Sequence, residues 1–370
     1  MPLKESSAIT AEEPEATPAA SRVRRLRLLT IASRDVYVDI ALLVALGLLL
    51  VIFEVASSGS EFLGTNLVSI VDSGAILGLV TIGEVVVMIS GSLDISVGST
   101  AGLVTAVVAQ VMVHNGGDLA LGLVAGILAG LAAGFVNGFV VAYFRINSVI
   151  ATLATYSAFL GVALLVTNGA QIGVTSSVLA TLGTGSVAAI PYLVIILIVV
   201  AVLAIAGMRY TLLGHTVYAV GGSQIASRLA GIRVQRYILG VFVFSGLCAA
   251  IAGVMLVAQT GTAQPTEGTV GLELTAITAV LLGGTGLTGG TGTVLGAVLG
   301  LLVLSTLDNG LLLLGIPSFW QDVATGGLLL IAVLLQDVSG HRSRFAAFRG
   351  ARRRVDPAIF EEFEDEPAQG

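Results

Sequence analysis

The sequence predicts an all-α, polytopic integral membrane protein of about ten transmembrane helices with both termini cytoplasmic. Three observations predict it. Hydrophobic residues make up 55% of the chain and charged residues only 11%, whereas a soluble domain carries about a quarter charged. Apolar stretches recur along the chain, each near the roughly 20 residues that cross a bilayer as a helix. The 17 Lys and Arg residues fall in a few short patches between those stretches, and insertion holds Lys and Arg on the cytoplasmic side. A mean hydropathy of +0.99 and 47 glycines fit membrane helices whose backbones approach closely at small residues.

Five arginines (Arg22, Arg24, Arg25, Arg27, Arg34) precede the first apolar run, 36–53. That run reads as a retained anchor rather than a removed signal, because the region before it is long and starts acidic, and many runs follow. The second run, 66–90, ends in the Gly-rich segment 91–98, and the third, 97–113, turns at 114–118 without Lys or Arg. Arg145 closes the inner end of the fourth, 119–144, and the fifth, 148–167, leads into a polar, uncharged outer segment, 168–189. The sixth, 190–208, precedes a hydrophilic connection, 209–236, that holds Arg209, Arg228, Arg233 and Arg236. The seventh, 237–259, and a short eighth, 270–282, flank another break without Lys or Arg. A second Gly-rich turn, 283–292, leads to the ninth run, 293–307, and an outer loop to the tenth, 323–336. Arg342, Arg344, Arg349, Arg352, Arg353 and Arg354 follow, and Lys4 lies in the N-terminal tail. Ten spans put every one of these cations on the cytoplasmic side, which nine or eleven would not.

The chain therefore divides into a cytoplasmic N-terminal tail, 1–35, largely disordered, a transmembrane unit, 36–337, with the cytoplasmic loop 209–236, and a cytoplasmic C-terminal tail, 338–370. The tails are charged and poor in apolar residues. The formal charge of -6 comes largely from two acidic stretches within them, Glu5 to Glu15 and Asp356 to Glu366, and carries no implication of a nucleic-acid partner. Cys248 is the single cysteine, so no intrachain disulfide forms, and His114, His215 and His341 share no ligand spacing. No metal or other cofactor is expected. Gly284, Gly286 and Gly289 fit a G-x-G-x-x-G pattern, but between two apolar runs there is no room for the βαβ unit a dinucleotide site needs. No Walker lysine motif and no G-x-S-x-G elbow occur, so neither ATP hydrolysis nor other enzymatic chemistry is expected of this chain. Phe319 and Trp320, at an outer helix start, suit the aromatic belt.

The most specific stretch is 83–99, where Glu84 and Asp94 lie within or beside apolar helices and Gly91-Ser92-Leu93-Asp94-Ile95-Ser96-Val97-Gly98 breaks them. A carboxylate there costs about 2.5–3.5 kcal/mol on insertion scales, so it faces a partner or a watery cavity. Asp94 could equally cap the following helix by accepting its first N–H groups. The second Gly-rich turn, 283–290, is weakly self-similar to 91–98, and paired interruptions in two halves often flank a transport pathway. In the inner connection Ser223 can cap a short helix over 224–230 and Gly231 can end it. Ile225, Ala226 and Leu229 share one face, with Ser227 and Arg228 turned away. An apolar face in water needs a partner, or it lies flat on the membrane.

These motifs resemble those of the monosaccharide-type permease subunits of bacterial ABC importers, the ribose permease among them. The resemblance covers most of 66–336. It rests on 83–99, Asn137-Gly138, Thr152-Leu153-Ala154-Thr155, Gly214 to Gly222 with Ala226 to Ile232, Gly283 to Thr293, Asn309-Gly310 and Phe319-Trp320-Gln321. Departures are Ser92 for a usual Gly, His215 for Arg, Asn147-Ser148 where Pro is frequent, Thr291 for Arg and Asp308 for Asn. The resemblance implies import of a monosaccharide or small polyol across the bacterial inner membrane. It also implies a cytoplasmic ABC ATPase, an extracytoplasmic sugar-binding protein and a second permease copy, identical or paralogous, as partners, besides membrane lipids. By the same resemblance Ser223, Ile225, Ala226, Arg228, Leu229 and Gly231 form the coupling helix that meets the ATPase. Glu84, Asp94, Ser96, Asn137, Thr152 and Thr155 would belong to the signature loop and translocation pathway. The alternative is an ion-coupled secondary transporter in which Glu84, Asp94 or Glu273 relays protons.

Overall fold

The computed structural model describes residues 18–56, 62–263, 265–266 and 271–334. Helices follow in the order α1 (Pro18–Ala56), α2 (Phe62–Ser73), α3 (Ala75–Ile89), α4 (Val97–His114), α5 (Leu119–Tyr143), α6 (Ser148–Thr167) and α7 (Ser177–Thr184). Next come α8 (Tyr192–Tyr210), α9 (Leu212–Gly222), α10 (Gln224–Leu229), α11 (Val234–Thr260), α12 (Leu272–Leu282) and α13 (Val294–Leu313), then α14 over Phe319–Leu334. The strands β1 (Ile172–Gly173), β2 (Ser186–Val187), β3 (Ile190–Pro191) and β4 (Thr262–Ala263) have two residues each and pair antiparallel, β1 with β4 and β2 with β3. The fold is all-α and built for a membrane.

Among the described residues seven helices are long and apolar enough to cross a bilayer, and α2 with α3 makes an eighth, bent by 48°. The bend falls at Gly74, where a Cβ would press on the Ser305 hydroxyl of α13. Polar caps set several ends. Asp118 accepts from the Leu121 N–H at the start of α5, Asn147 from Val149 N–H at α6, and Thr293 from Gly296 N–H at α13. Asn168 ends α6 in the left-handed conformation at φ 52°.

Four expectations need correction. The run 270–282 folds as the 11-residue α12, which at 1.5 Å per residue is about 16 Å long and cannot cross a ~30 Å core. Gly271, at φ 90°, stops it on one side. The connection 209–236 carries two helices, α9 and α10, rather than one. The outer segment 168–189 contains α7, capped by Ser176, and β1, which ties it to β4. Finally, helix α1 begins at Pro18, inside the segment expected as a disordered tail; no glycine or further proline interrupts 19–35. Residues 1–17 and the tail 338–370 lie outside the described residues.

The core is formed by α3 and α11. Every residue of α3 except Leu77 is buried, so this helix meets protein on all sides. The other central helix, α11, packs on α5, α3 and α4. Lipid tails are as apolar as leucine, so these helices associate through close contact rather than through exclusion of water. Glycines make that contact possible: a Cβ at Gly134 of α5 would run into the Phe242 carbonyl of α11, and one at Gly246 into the Gly130 carbonyl.

Candidate functional site

The turn between α3 and α4 is mostly buried, so each of its amides needs an acceptor inside the protein. The acceptors can be named one by one. Gly91 N–H donates to the Met88 carbonyl and Ser92 N–H to that of Val87, at 2.9 and 3.3 Å. Leu93 N–H donates to Ser148 Oγ at 3.1 Å and Ile95 N–H to Thr152 Oγ1 at 3.2 Å, both on α6. Asp94 N–H donates to Glu84 Oε1 of α3 at 3.2 Å, and Ser96 N–H to Asp94 Oδ1 at 3.1 Å. Six consecutive amides are thus satisfied, four of them by side chains.

Asp94 ties the turn to two further helices. Its Oδ1 accepts from the Ser96 hydroxyl at 2.7 Å, and its Oδ2 from the Ser245 hydroxyl of α11 at 3.0 Å. Asn137 Nδ2 of α5 donates to Ser96 Oγ at 2.6 Å and reaches Asp94 Oδ1 at 3.5 Å. The expected cap on α4 is not what Asp94 makes: α4 opens at Ser96 without a side-chain cap. Asp94 lies two residues too early and turns sideways to α5 and α11. Glu84, Asp94, Ser96, Asn137 and Thr152 are all buried and bonded to this turn. Thr155 is half-buried one turn further along α6 and donates only to the Thr152 carbonyl. Glu273 stands apart in the first turn of α12, where Oε1 accepts from Gly271 N–H. Ser148 and Ser245 escaped the sequence reading, because nothing in the local pattern marks a serine as a long-range acceptor or donor.

Both Gly-rich breaks and the end of α9 meet at one place. Gly290 N–H donates to the Ile89 carbonyl at 2.8 Å. A Cβ at Gly289 would press on Gly91, one at Gly290 on Gly222, and one at Gly221 on Ile89 and Gly290. Tyr218 of α9 donates its hydroxyl to the Gly292 carbonyl at 2.8 Å. The signature turn, the 283–292 turn and the connection into α10 are therefore in backbone contact. A polar cavity of about 240 Å³ lined by Ser92, Arg145, Ser148, Gln224 and Arg228 lies beside them.

Helix α10 begins as the sequence implies. Ser223 Oγ accepts from Ala226 N–H at 3.2 Å, and Gly231, at φ 81°, follows its end. Ile225 and Leu229 are 73% and 85% exposed, a bare aliphatic face on a six-residue helix. Arg228 donates to Gln224 Oε1. Ser227, turned away from that face as expected, is buried and donates to the Ala219 carbonyl at 2.9 Å, which fixes α10 to α9.

The comparisons with known proteins agree with this architecture. A family model described as branched-chain amino acid transport system / permease component matches residues 66–333. The xylose transport system permease protein of Haemophilus influenzae is 32% identical, covering 79% of this chain and 94% of that protein. Its Escherichia coli K12 counterpart is 30% identical over 84% and 93% of the two chains. The ribose import permease protein of Bacillus subtilis is 38% identical over 78% and 90%. No solved structure matches. The family model takes in most of the chain, and these relatives are matched along nine-tenths or more of their own lengths: the chain belongs to the family of branched-chain amino acid transport system permease components.

Proposed function

We propose that the chain is the inner-membrane permease subunit of an ATP-driven importer for a monosaccharide or related small polyol. The observation that carries this reading is the bare aliphatic face of α10, Ile225 and Leu229, joined through Gly221 and Gly222 to the turn that Asp94 holds. An exposed apolar face on a fixed short helix suits burial by a cytoplasmic ATPase. In this reading Ser223, Gly231 and the Arg228–Gln224 pair shape α10, while Ile225, Ala226 and Leu229 enter the partner. Movement of α10 then reaches the signature turn through backbone contacts that have no side-chain slack.

Glu84, Asp94, Ser96, Asn137 and Thr152 hold that turn rigid, and Thr155 sits nearer the exposed face of α6 in the pathway. A second permease copy completes the pathway, and an extracytoplasmic binding protein delivers substrate to the outer surface built from α7 and the β1–β4 pair. Ten membrane crossings, the eighth made by α12 together with its flanks, keep both termini and every Lys and Arg inside. The sugar reading draws on relatives named for xylose and ribose, whereas the family description names branched-chain amino acids. Uptake of labelled xylose, ribose and leucine by cells expressing the whole importer separates the two. Sugar uptake is expected, and uptake of leucine alone would reverse the assignment.

A further inference from the structure

A void larger than the one beside the signature turn lies elsewhere in the transmembrane region. It is a cavity of about 680 Å³ between α8 and α11, with Val86 of α3 as part of its floor and Gly214 and Val217 of α9 closing one end. Both α8 and α11 pack on α3 and on α9 rather than on each other, which leaves a wedge between them. Gly207 of α8 and Gly240 of α11 line the wedge, and a Cβ on either would meet nothing within 4 Å. The walls are aliphatic and aromatic, Leu203 and Phe244 among them, and Leu203 is 66% exposed. The groove is therefore open at its side. Thr211 offers little to water, since its hydroxyl already donates to the Gly207 carbonyl at 2.6 Å.

An apolar void of this size left empty would forfeit dispersion contacts along every wall. Within the bilayer, the filler at hand is an acyl chain. The one charged lining residue, Arg236, lies in the first turn of α11 at the arginine-rich end of the groove. Basic side chains at the cytoplasmic mouth of a cleft between membrane helices suit a phosphate headgroup. We propose that the α8–α11 groove seats one anionic phospholipid, with an acyl chain between Gly207 and Gly240 and its phosphate on Arg236. This inference needs only that the chain spans a bilayer, so it stands apart from the identity of the transported substrate.

The test is native mass spectrometry of the purified full-length chain titrated with phosphatidylglycerol, phosphatidylcholine or inorganic phosphate. The wild type is expected to retain one phosphatidylglycerol in preference to phosphatidylcholine, with no adduct from phosphate alone. Arg236→Gln should lower that preference about fivefold while leaving the groove occupied. Gly207→Leu and Gly240→Leu should each fill the wedge and remove the retained lipid, whatever its headgroup. Two variants on different helices guard against one failing to fold. Retention unchanged in both filling variants would overturn the proposal. So would a Leu203→Cys disulfide between two copies, which would assign the groove to a second chain.

Discussion

The amide of Asp94 donates to the Glu84 carboxylate at 3.2 Å, deep among the membrane helices. One acid thus orients the backbone that presents the other. Glu84→Gln keeps an oxygen in place for that amide, and its uptake and thermal midpoint should stay near those of the wild type. Glu84→Leu strands a buried donor, at a cost of about 1–3 kcal/mol. A lowered midpoint in Leu but not in Gln is expected from thermal unfolding in detergent. A well-folded but inactive Gln variant would instead fit a proton-carrying acid.

Thr152 and Thr155 lie on one helix yet should respond differently. Thr152 accepts from Ile95 N–H and donates to the Ser148 carbonyl, whereas Thr155 donates only to its own helix. Thr152→Val should cost about 1–3 kcal/mol by leaving the turn amide without an acceptor, and Thr155→Val well under that. Equal losses in midpoint would contradict the arrangement.

Adjacent glycines give a sharper contrast. A Cβ at Gly221 would run into the Ile89 carbonyl, while one at Gly222 would meet nothing within 4 Å. Gly221→Ala should therefore abolish coupled uptake or lower expression severely, and Gly222→Ala should keep both. Chain levels in membranes and uptake rates check this together.

Leu229→Arg places a charge on a side chain that is 85% exposed, so insertion and folding should be unaffected. If that face is buried by an ATPase, co-purification of the ATPase should fall by at least an order of magnitude, since an unpaired buried charge costs about 3–5 kcal/mol. Unchanged association would remove α10 from the interface.

Thiol labelling tests the topology. In a Cys248→Ser background, His114→Cys should react with an impermeant reagent from outside intact cells and His215→Cys only after lysis. The reverse pattern would invert the orientation.

Much of this fold was legible in the sequence because lipid imposes simple rules. The fifth apolar run and α6 coincide at 148–167, since Asn147 and Asn168 mark both ends. Helix α9 was missed because Leu212 and Leu213 sit in a segment whose arginines dominate its character, although both are strongly exposed in the structure. The short α12 was over-read, because hydropathy registers an apolar run without sensing the left-handed Gly271 that stops it. At the site, Asp94 and Glu84 stood out as rare intramembrane acids. Ser245, which donates to Asp94, and Ser148, which accepts from the Leu93 N–H, did not, for hydroxyls on distant helices join the turn only through the three-dimensional packing of α6 and α11.

The most direct measurement of the central claim is uptake into proteoliposomes holding the chain, its ATPase and its binding protein. Uptake of sugar that requires ATP on the ATPase side and the binding protein on the other, and ignores an imposed proton or sodium gradient, is the predicted result. Uptake by the chain alone, driven by such a gradient and indifferent to ATP, would contradict it.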